Sequence, residues 1–417
     1  MDAFYIEGSR NFFDGEIFLQ GSKNASLPIL AASILTNKEI VLQNVPEISD
    51  VRTLLDILQS IGVVAQKSGG TLIVQTEQIT NTTITGAAVH MLRSSVFLLG
   101  AMLSRAKKVT IAYPGGCDIG LRPVDMHIGA LRRMGVLIEE DREKLVCDGK
   151  DMHAADITLP YPSVGATENI LMAAVFVKGI TTIKNVAQEP EIVALASFLG
   201  EMGARIKGAG SKEIQIEGVN NLTGTEYTIP CDRIALGTYL LLILTKGGNV
   251  SIKNVLLYGY DKKLFNMIKS CCKTQWSNDI INISSKGERM KSFSISTGPY
   301  PGFSTDLQAP LSVAATVGSG NFSITETIFE NRFRHMTELA KMGAKIETEG
   351  RCAHIEGVER LTGAIVSAQD LRGGAALVNA GLLAEGMTIV KNAHYIDRGY
   401  AAIENVYKNI GANISRG

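Results

Sequence analysis

Apolar residues along the chain alternate between two textures. Compact runs at Ala25 to Leu35, Ser94 to Leu103, Thr167 to Val177, Ala235 to Leu244, Leu307 to Val317 and Gly374 to Leu383 are apolar nearly all round a helical wheel. They predict helices buried on several sides. Between them stand short β-branched stretches that predict strands, among them Glu39-Ile40-Val41-Leu42, Thr181-Thr182-Ile183-Lys184 and Met387-Thr388-Ile389-Val390. A second helix then closes on an apolar residue and a Gly, as in Ile61-Gly62, Met134-Gly135, Met202-Gly203, Met342-Gly343 and Ile410-Gly411. Gly there supplies the left-handed cap that a turn into a strand demands. The marks lie 73, 68, 140 and 68 residues apart, and since 140 is twice 70 a sixth copy is expected near position 272. There Cys272 takes the place of the Gly after the helical stretch Leu264 to Ser270. The chain reads as six copies of a βαβα-then-β unit, an α+β fold with its helices packed inward.

Composition narrows the function classes. With 417 residues, 45% of them hydrophobic, the chain can bury the cores of two or three domains, which excludes disorder and collagen-like repetition. Its 41 basic and 41 acidic side chains cancel, which argues against nucleic acid as a partner. The apolar stretch Ile234 to Leu244 is too short for a spanning helix, which needs about 20 residues, so no membrane partner is expected. The opening Met1-Asp2-Ala3 has no basic flank and apolar run, and a cytoplasmic location is the expectation. Cysteines 117, 147, 231, 271, 272 and 352 form no Cys-x-x-Cys pair and have no His at ligand spacing, so neither a metal site nor a disulfide framework is expected. No cofactor is called for.

Repetition alone suits a solenoid-like scaffold as well as an enzyme. The loops distinguish the two, because equivalent loops carry unequal residues. One loop precedes each apolar helix: Gly21-Ser22-Lys23-Asn24, His90-Met91-Leu92-Arg93, Tyr161-Pro162-Ser163-Val164-Gly165, Cys231-Asp232-Arg233, Ser304-Thr305-Asp306 and Gln369-Asp370-Leu371-Arg372. Helix starts gather amide N–H groups and the positive end of the dipole, so each is a ready anion site, to which Lys23, Arg93, Arg233 and Arg372 add charge. Ser163, Asp232, Asp306 and Asp370 also have the plain reading of N-caps. A second loop follows the second strand, and in the second repeat it swells to a Gly- and Pro-rich excursion, Tyr113 to His127, around Cys117, with Arg122 five residues on. A nearby cation and exposed amides favour a thiolate, giving an activatable acid or nucleophile.

Seven segments in these loops carry a resemblance: Lys23-Asn24, Pro114-Gly115-Gly116-Cys117, Gly120-Leu121-Arg122-Pro123-Val124-Asp125, Ser163-Val164-Gly165-Ala166-Thr167, Thr305-Asp306-Leu307-Gln308, Glu330-Asn331-Arg332-Phe333 and Asp397-Arg398-Gly399-Tyr400. Together, and in this order over essentially the whole chain, they resemble the signature of the UDP-N-acetylglucosamine 1-carboxyvinyltransferase family, relatives of the shikimate-pathway enolpyruvyl transferase. The resemblance implies two domains of three βαβαββ units each, here residues 22–229 and residues 1–21 plus 230–417. It implies phosphoenolpyruvate and UDP-N-acetylglucosamine as the small-molecule partners, with enolpyruvyl transfer to the sugar 3-hydroxyl and release of phosphate at the first committed step of peptidoglycan synthesis.

By the same resemblance Cys117 is the proton donor, able to add covalently to the donor substrate, and Asp306 is the base. Lys23, Arg122 and Arg398 clamp phosphoenolpyruvate, with Asn24 beside them and Arg372 as support. The sugar nucleotide is expected on Asn24, Arg93, Arg122, Pro123, Val124, Asp125, Met126, Ser163, Val164, Gly165, Asp306 and Ile328. A guanidinium can bind carboxylate or phosphate through two parallel hydrogen bonds, which suits this clamp. Tyr161 stands where many members carry a basic residue, and the fourth repeat, with Ala235 at its helix start and Cys271-Cys272-Lys273-Thr274-Gln275-Trp276 beyond, reads as drift with no chemical role. Two other functions fit less well: transfer to 3-phosphoshikimate, whose family lacks the Pro-Gly-Gly-Cys loop, and a sugar-nucleotide-binding paralogue without turnover. Because the clamp is divided between the two sets of repeats, closure on the sugar nucleotide is expected.

Overall fold

The protein is described by a computed structural model that covers all but residues 1, 10, 69, 116–118, 121 and 122; Cys117 and Arg122 therefore lie outside the described residues. The chain divides into two compact units, one of residues 21–230 and the other of residues 1–20 and 231–417, the latter grouping also with Ile119 and Gly120. The described residues form six four-stranded sheets, three in each unit.

Residues 156–217 illustrate one repeat. Strand Asp156–Thr158 runs parallel to Ile180–Lys184, which pairs antiparallel with Glu213–Glu217, and that strand pairs with Arg205–Lys207. Helices Val164–Ala174 and Pro190–Glu201 make the crossovers, giving βαβαββ. The apolar runs are the helices Lys23–Ala32, Leu98–Ala106 and Val164–Ala174 of one unit and Arg233–Lys246, Gln308–Thr316 and Leu371–Leu383 of the other. Within each unit the three pack on one another and are buried on nearly every face, while the sheets cover them.

Strand assignment differs from simple chain order in three places. The first repeat takes its opening strand from Thr225–Thr228, parallel to Ile40–Gln43. The fourth takes its own from Phe13–Phe18, parallel to Gly248–Lys253. The sixth is completed by Ala3–Gly8, inserted antiparallel between Gly386–Lys391 and Asn413–Arg416. The glycine marks hold φ between 87 and 104° at Gly62, Gly135, Gly203, Gly343 and Gly411, as a left-handed helix exit requires. Cys272, with a Cβ, instead runs from helix Lys262–Cys271 straight into a strand at φ −144°.

Helices apolar all round bring polar atoms inside, and most of these pair there. Fully buried Asn169 accepts from Gly100 N at 2.7 Å and donates to Val96 O at 3.0 Å, with His127 Nδ1 at 2.8 Å. A Cβ at Gly100 would stand 2.2 Å from the Asn169 carbonyl, so Gly is what permits the approach. In the other unit Asn379 donates to Thr238 O at 3.1 Å and accepts from Tyr407 OH.

Some do not pair, among them Gln308 of the other unit and Glu168, one residue before Asn169. Fully buried, Glu168 has no hydrogen-bond partner among the described residues on either oxygen. Burial, reinforced by Glu191 and Glu189, pushes its carboxyl well above the usual 4.5. The folded chain thus keeps a proton that the unfolded chain has released, and stability falls as pH rises from about 4.5 towards the folded-state value. Glu168→Gln keeps the shape and does not titrate. Its stability relative to the parent is expected to grow with pH, by up to about 1.4 kcal/mol per pH unit, in urea unfolding between pH 5 and 8. A pH-independent difference would show that the carboxyl is not held neutral.

Candidate active site

In the unit of residues 21–230 the conspicuous side chains stand at helix starts. Ser22 Oγ accepts from Ala25 N at 3.3 Å, so the next two residues, Lys23 and Asn24, lie in the first helical turn, both half-buried. Gly21 permits this entry, because a Cβ there would lie 1.8 Å from the Asn44 carbonyl. Lys23 Nζ lies 2.7 Å from Asp50 Oδ2, with the two side chains 12% and 7% exposed. Asp50, in the first turn of helix Ser49–Ser60, is a partner that sequence reasoning gave no role. Its signal was a carboxylate opening the second helix of the repeat whose first helix opens with Lys23.

Arg93 begins the turn Arg93–Phe97 and donates from Nη1 to Pro114 O at 3.3 Å, tying the start of the Gly-rich loop to that turn. Gly115 passes so close to His90 that a Cβ would meet its carbonyl at 1.7 Å. Beyond the loop, Pro123 is exposed and Val124 buried, while Asp125 and Met126 occupy the first turn of helix Asp125–Arg133. Ser163 is the N-cap of Val164–Ala174, accepting from Ala166 N at 3.3 Å, with Val164 and Gly165 in the first turn. A Cβ at Gly165 would approach the His127 ring to 3.1 Å, so Asn169, His127 and Gly165 are packed as a set. Tyr161 is exposed at 41%.

In the other unit Asp306 is not the helix cap that its position allowed. Ser304 is, its Oγ accepting from Asp306 N at 3.3 Å, and this leaves the Asp306 carboxylate for other partners. Arg332 Nη2 reaches Oδ1 at 2.6 Å; Arg372 reaches Oδ2 with Nη2 at 3.1 Å and Nε at 3.3 Å. The arginine side chains are 4% and 3% exposed and Asp306 23%, so the carboxylate is the accessible member of the triad. Arg372 lies 5.4 Å from the Tyr400 ring centroid and Arg332 5.4 Å from that of Phe329. Burial disfavours the Arg372 charge, yet Asp306, Tyr400 and Asp232 together outweigh it and the guanidinium holds its proton more tightly than usual. His335 is pushed down to about 4, chiefly by burial, and its Nε2 lies 2.9 Å from Ser312 Oγ. It is a neutral packing residue at pH 7.

Arg332 belonged to a motif noted in the sequence but received no role there, because its partner lies 26 residues away. Nor is the fourth repeat idle: Asp261 caps helix Lys262–Cys271 through Leu264 N at 3.0 Å, and its other oxygen accepts from Ser304 N at 2.9 Å. It thereby steadies the turn that carries Asp306.

Arg398 ends the turn Ala393–Arg398, half-buried. Its neighbour Asp397 receives two hydrogen bonds from Arg416, at 2.7 and 2.6 Å, and Arg416 also holds Asp2, which accepts from His394 N at 2.7 Å. Gln20 grips the far side, accepting from Ala401 N and donating to Gly399 O, both at 2.9 Å. Both ends of the chain thus frame the Arg398 turn. Ile328 is half-buried with its amide on Glu326.

Each unit therefore presents cations at helix starts or turns, and one adds a carboxylate between guanidinium groups, an arrangement that can hold polyanions and move a proton. Among the described residues no group of His, Cys, Asp and Glu could hold a metal ion, and no helix is long and apolar enough to cross a membrane.

Comparison with known proteins agrees with this chemistry. The model of a family described as EPSP synthase (3-phosphoshikimate 1-carboxyvinyltransferase) matches residues 9–407. UDP-N-acetylglucosamine 1-carboxyvinyltransferase 2 of Caldanaerobacter subterraneus is 44% identical over 416 residues, covering 100% of both chains. UDP-N-acetylglucosamine 1-carboxyvinyltransferase of Actinobacillus succinogenes is 42% identical over 419 residues, covering 100% of this chain and 99% of that one. Among solved structures, the enolpyruvyl transferase NikO from Streptomyces tendae has a TM-score of 0.87 at 20% identity, covering 100% of this chain and 99% of its own. EPSP synthase from Acinetobacter baumannii has a TM-score of 0.74 at 17% identity, with 100% of both chains covered. At those identities the structural likeness is one of fold, whereas the full-length sequence identities go further: the chain belongs to the UDP-N-acetylglucosamine 1-carboxyvinyltransferase family of enolpyruvyl transferases.

Proposed function

We propose that the chain transfers the enolpyruvyl group of phosphoenolpyruvate to the 3-hydroxyl of UDP-N-acetylglucosamine, releasing phosphate. One observation carries the chemical reading. Asp306 is relieved of capping by Ser304 and is the accessible member of its group, as a proton acceptor for the hydroxyl requires, while two buried guanidinium groups fix its place. The relatives' names support this acceptor, and the Pro-Gly-Gly-Cys loop argues against 3-phosphoshikimate. Peptidoglycan synthesis in the cytoplasm, and with it cell growth and division, is the role that follows.

In the addition step Asp306 takes the hydroxyl proton, the sugar oxygen bonds to C2 of phosphoenolpyruvate, and Cys117 gives a proton to the methylene carbon. In the elimination step the new methyl group returns a proton, the C2–O bond to phosphate breaks and phosphate leaves. Lys23, Arg122 and Arg398 hold the donor's phosphate and carboxylate, with Asn24 beside them; Arg372 supports them through Asp306. Arg93, Pro123 to Met126, Ser163, Val164, Gly165 and Ile328 hold the sugar nucleotide, and the amides of the Ser163 turn suit its diphosphate.

Phosphate release from phosphoenolpyruvate should depend on UDP-N-acetylglucosamine and be absent with 3-phosphoshikimate; the reverse pattern would overturn the acceptor. Cys117→Ser is expected to abolish nearly all turnover, because a hydroxyl is a far weaker acid than a thiol. Cys272→Ser should leave turnover unchanged, since burial pushes that thiol up to about 11. Mass spectrometry after treatment with a small epoxide resembling phosphoenolpyruvate should find the adduct on Cys117 and none on Cys147, which burial pushes up to about 12.

Asp306→Asn should cut the single-turnover rate by about 10²- to 10⁴-fold, the usual cost of losing a base. Sugar-nucleotide affinity by calorimetry should change much less. Thermal stability should fall too, because Arg332 and Arg372 lose their counter-charge. An unchanged single-turnover rate would remove Asp306 from the chemistry.

A further inference from the structure

The repeats permit an internal comparison at one position, the residue that follows the second strand. In four repeats it is Asn: Asn44, Asn185, Asn254 and Asn392 all adopt left-handed backbone, with φ of 58, 55, 64 and 62°. Each donates from Nδ2 to the carbonyl of the residue just past the neighbouring parallel strand: Ile229 at 2.9 Å, Leu159 at 2.8 Å, Leu19 at 2.8 Å and Ala368 at 3.2 Å. The strand registers are equivalent in all four. One short neutral side chain is therefore enough to pin two segments together where they leave a sheet.

The fifth repeat has the same register but pairs Thr297 with Glu326 there. Glu326 is 1% exposed. Its Oε1 accepts from Thr297 Oγ1 at 3.0 Å, Ile328 N at 2.8 Å and Phe329 N at 3.2 Å, and its Oε2 accepts from Thr305 Oγ1 at 2.7 Å. The Thr297 carbonyl, counterpart of those the Asn side chains hold, instead accepts from Thr327 Oγ1 at 2.9 Å, so the strands are pinned here without Glu326, whose bond to the Thr297 hydroxyl is local. The others reach further, to the residue beside Asp306 and to the backbone of Ile328. Burying a carboxyl group is costly unless hydrogen bonds compensate it, so the four bonds commit this side chain to one geometry.

We infer that Glu326 is a positioning residue for the transfer reaction, fixing from one buried carboxyl group the turn that carries Asp306 and the segment that carries Ile328. The inference rests on the transfer reaction proposed above. Misplacing a reacting group by about 1 Å can cost about 10²-fold in rate, which sets the scale of the effect.

Glu326→Asn leaves Thr327 in place to hold the Thr297 carbonyl, so it should still fold, with a single cooperative thermal transition. Its kcat should nevertheless fall at least about tenfold, and its KM for UDP-N-acetylglucosamine should rise as the Ile328 and Phe329 amides lose their acceptor. Thr305→Val cuts only the tie to the Asp306 turn: kcat should fall about tenfold, with KM for the sugar nucleotide within about twofold of the parent, and Thr305→Ser should restore the rate. A parental kcat in Thr305→Val or Glu326→Asn, or a Thr305→Ser variant as slow as the Val variant, overturns the inference. Since these rates are referred to an active parent, that result would leave the proposed function standing.

Discussion

Three helices that are apolar on every face can be buried together only if most of the polar atoms they bring inside find partners there, and the architecture of both units depends on this condition. Asn169 meets it in one unit by joining the Arg93–Phe97 turn, helix Leu98–Ala106 and His127 of helix Asp125–Arg133. Asn379, Thr238, Tyr407 and Tyr400 meet it in the other. Because the central helices are held from within, their N-termini emerge at fixed places. Ser22, Ser163, Asp232 and Asp370 cap four of them, and Lys23, Arg233 and Arg372 stand directly after a cap or one residue further on. The packing of the core thereby sets the placement of the charges.

Much of this was legible in the sequence because it is periodic. Glycine marks, apolar helix runs and β-branched strands repeat at one spacing, and repetition turns weak local signals into a strong one. What the sequence concealed is non-local. The strands Ala3–Gly8, Phe13–Phe18 and Thr225–Thr228 carry no mark of the distant sheets they complete, since strand pairing depends on edges that the fold brings together. Asp306 with Arg372, 66 residues apart, and Lys23 with Asp50 are likewise products of tertiary placement.

Other features were visible but passed over. Asn after the strands at 44, 185, 254 and 392 is a repeat mark kept in four repeats, and Tyr113 and Glu326 are its exceptions. Asp306 could be read as a cap because Asp commonly caps helices; Ser304, two residues earlier, holds that place instead. The fourth repeat read as drift since its divergence is plain, while its contribution, an Asp261 oxygen on Ser304 N, passes through a backbone atom that leaves no trace in residue type.

The strand exchange at the amino terminus also sets an order of assembly. Residues 21–230 contain every strand of their three sheets and can close as soon as they have been synthesised. Ala3–Gly8 has both of its neighbours in Gly386–Lys391 and Asn413–Arg416, made hundreds of residues later. At the roughly 5–20 residues per second of translation, that segment waits tens of seconds with two unsatisfied edges, and the unit it belongs to is the last to become resistant to aggregation. The turn bearing Arg398, framed by Asp2 and Arg416, is therefore completed only once segments 414 residues apart have met.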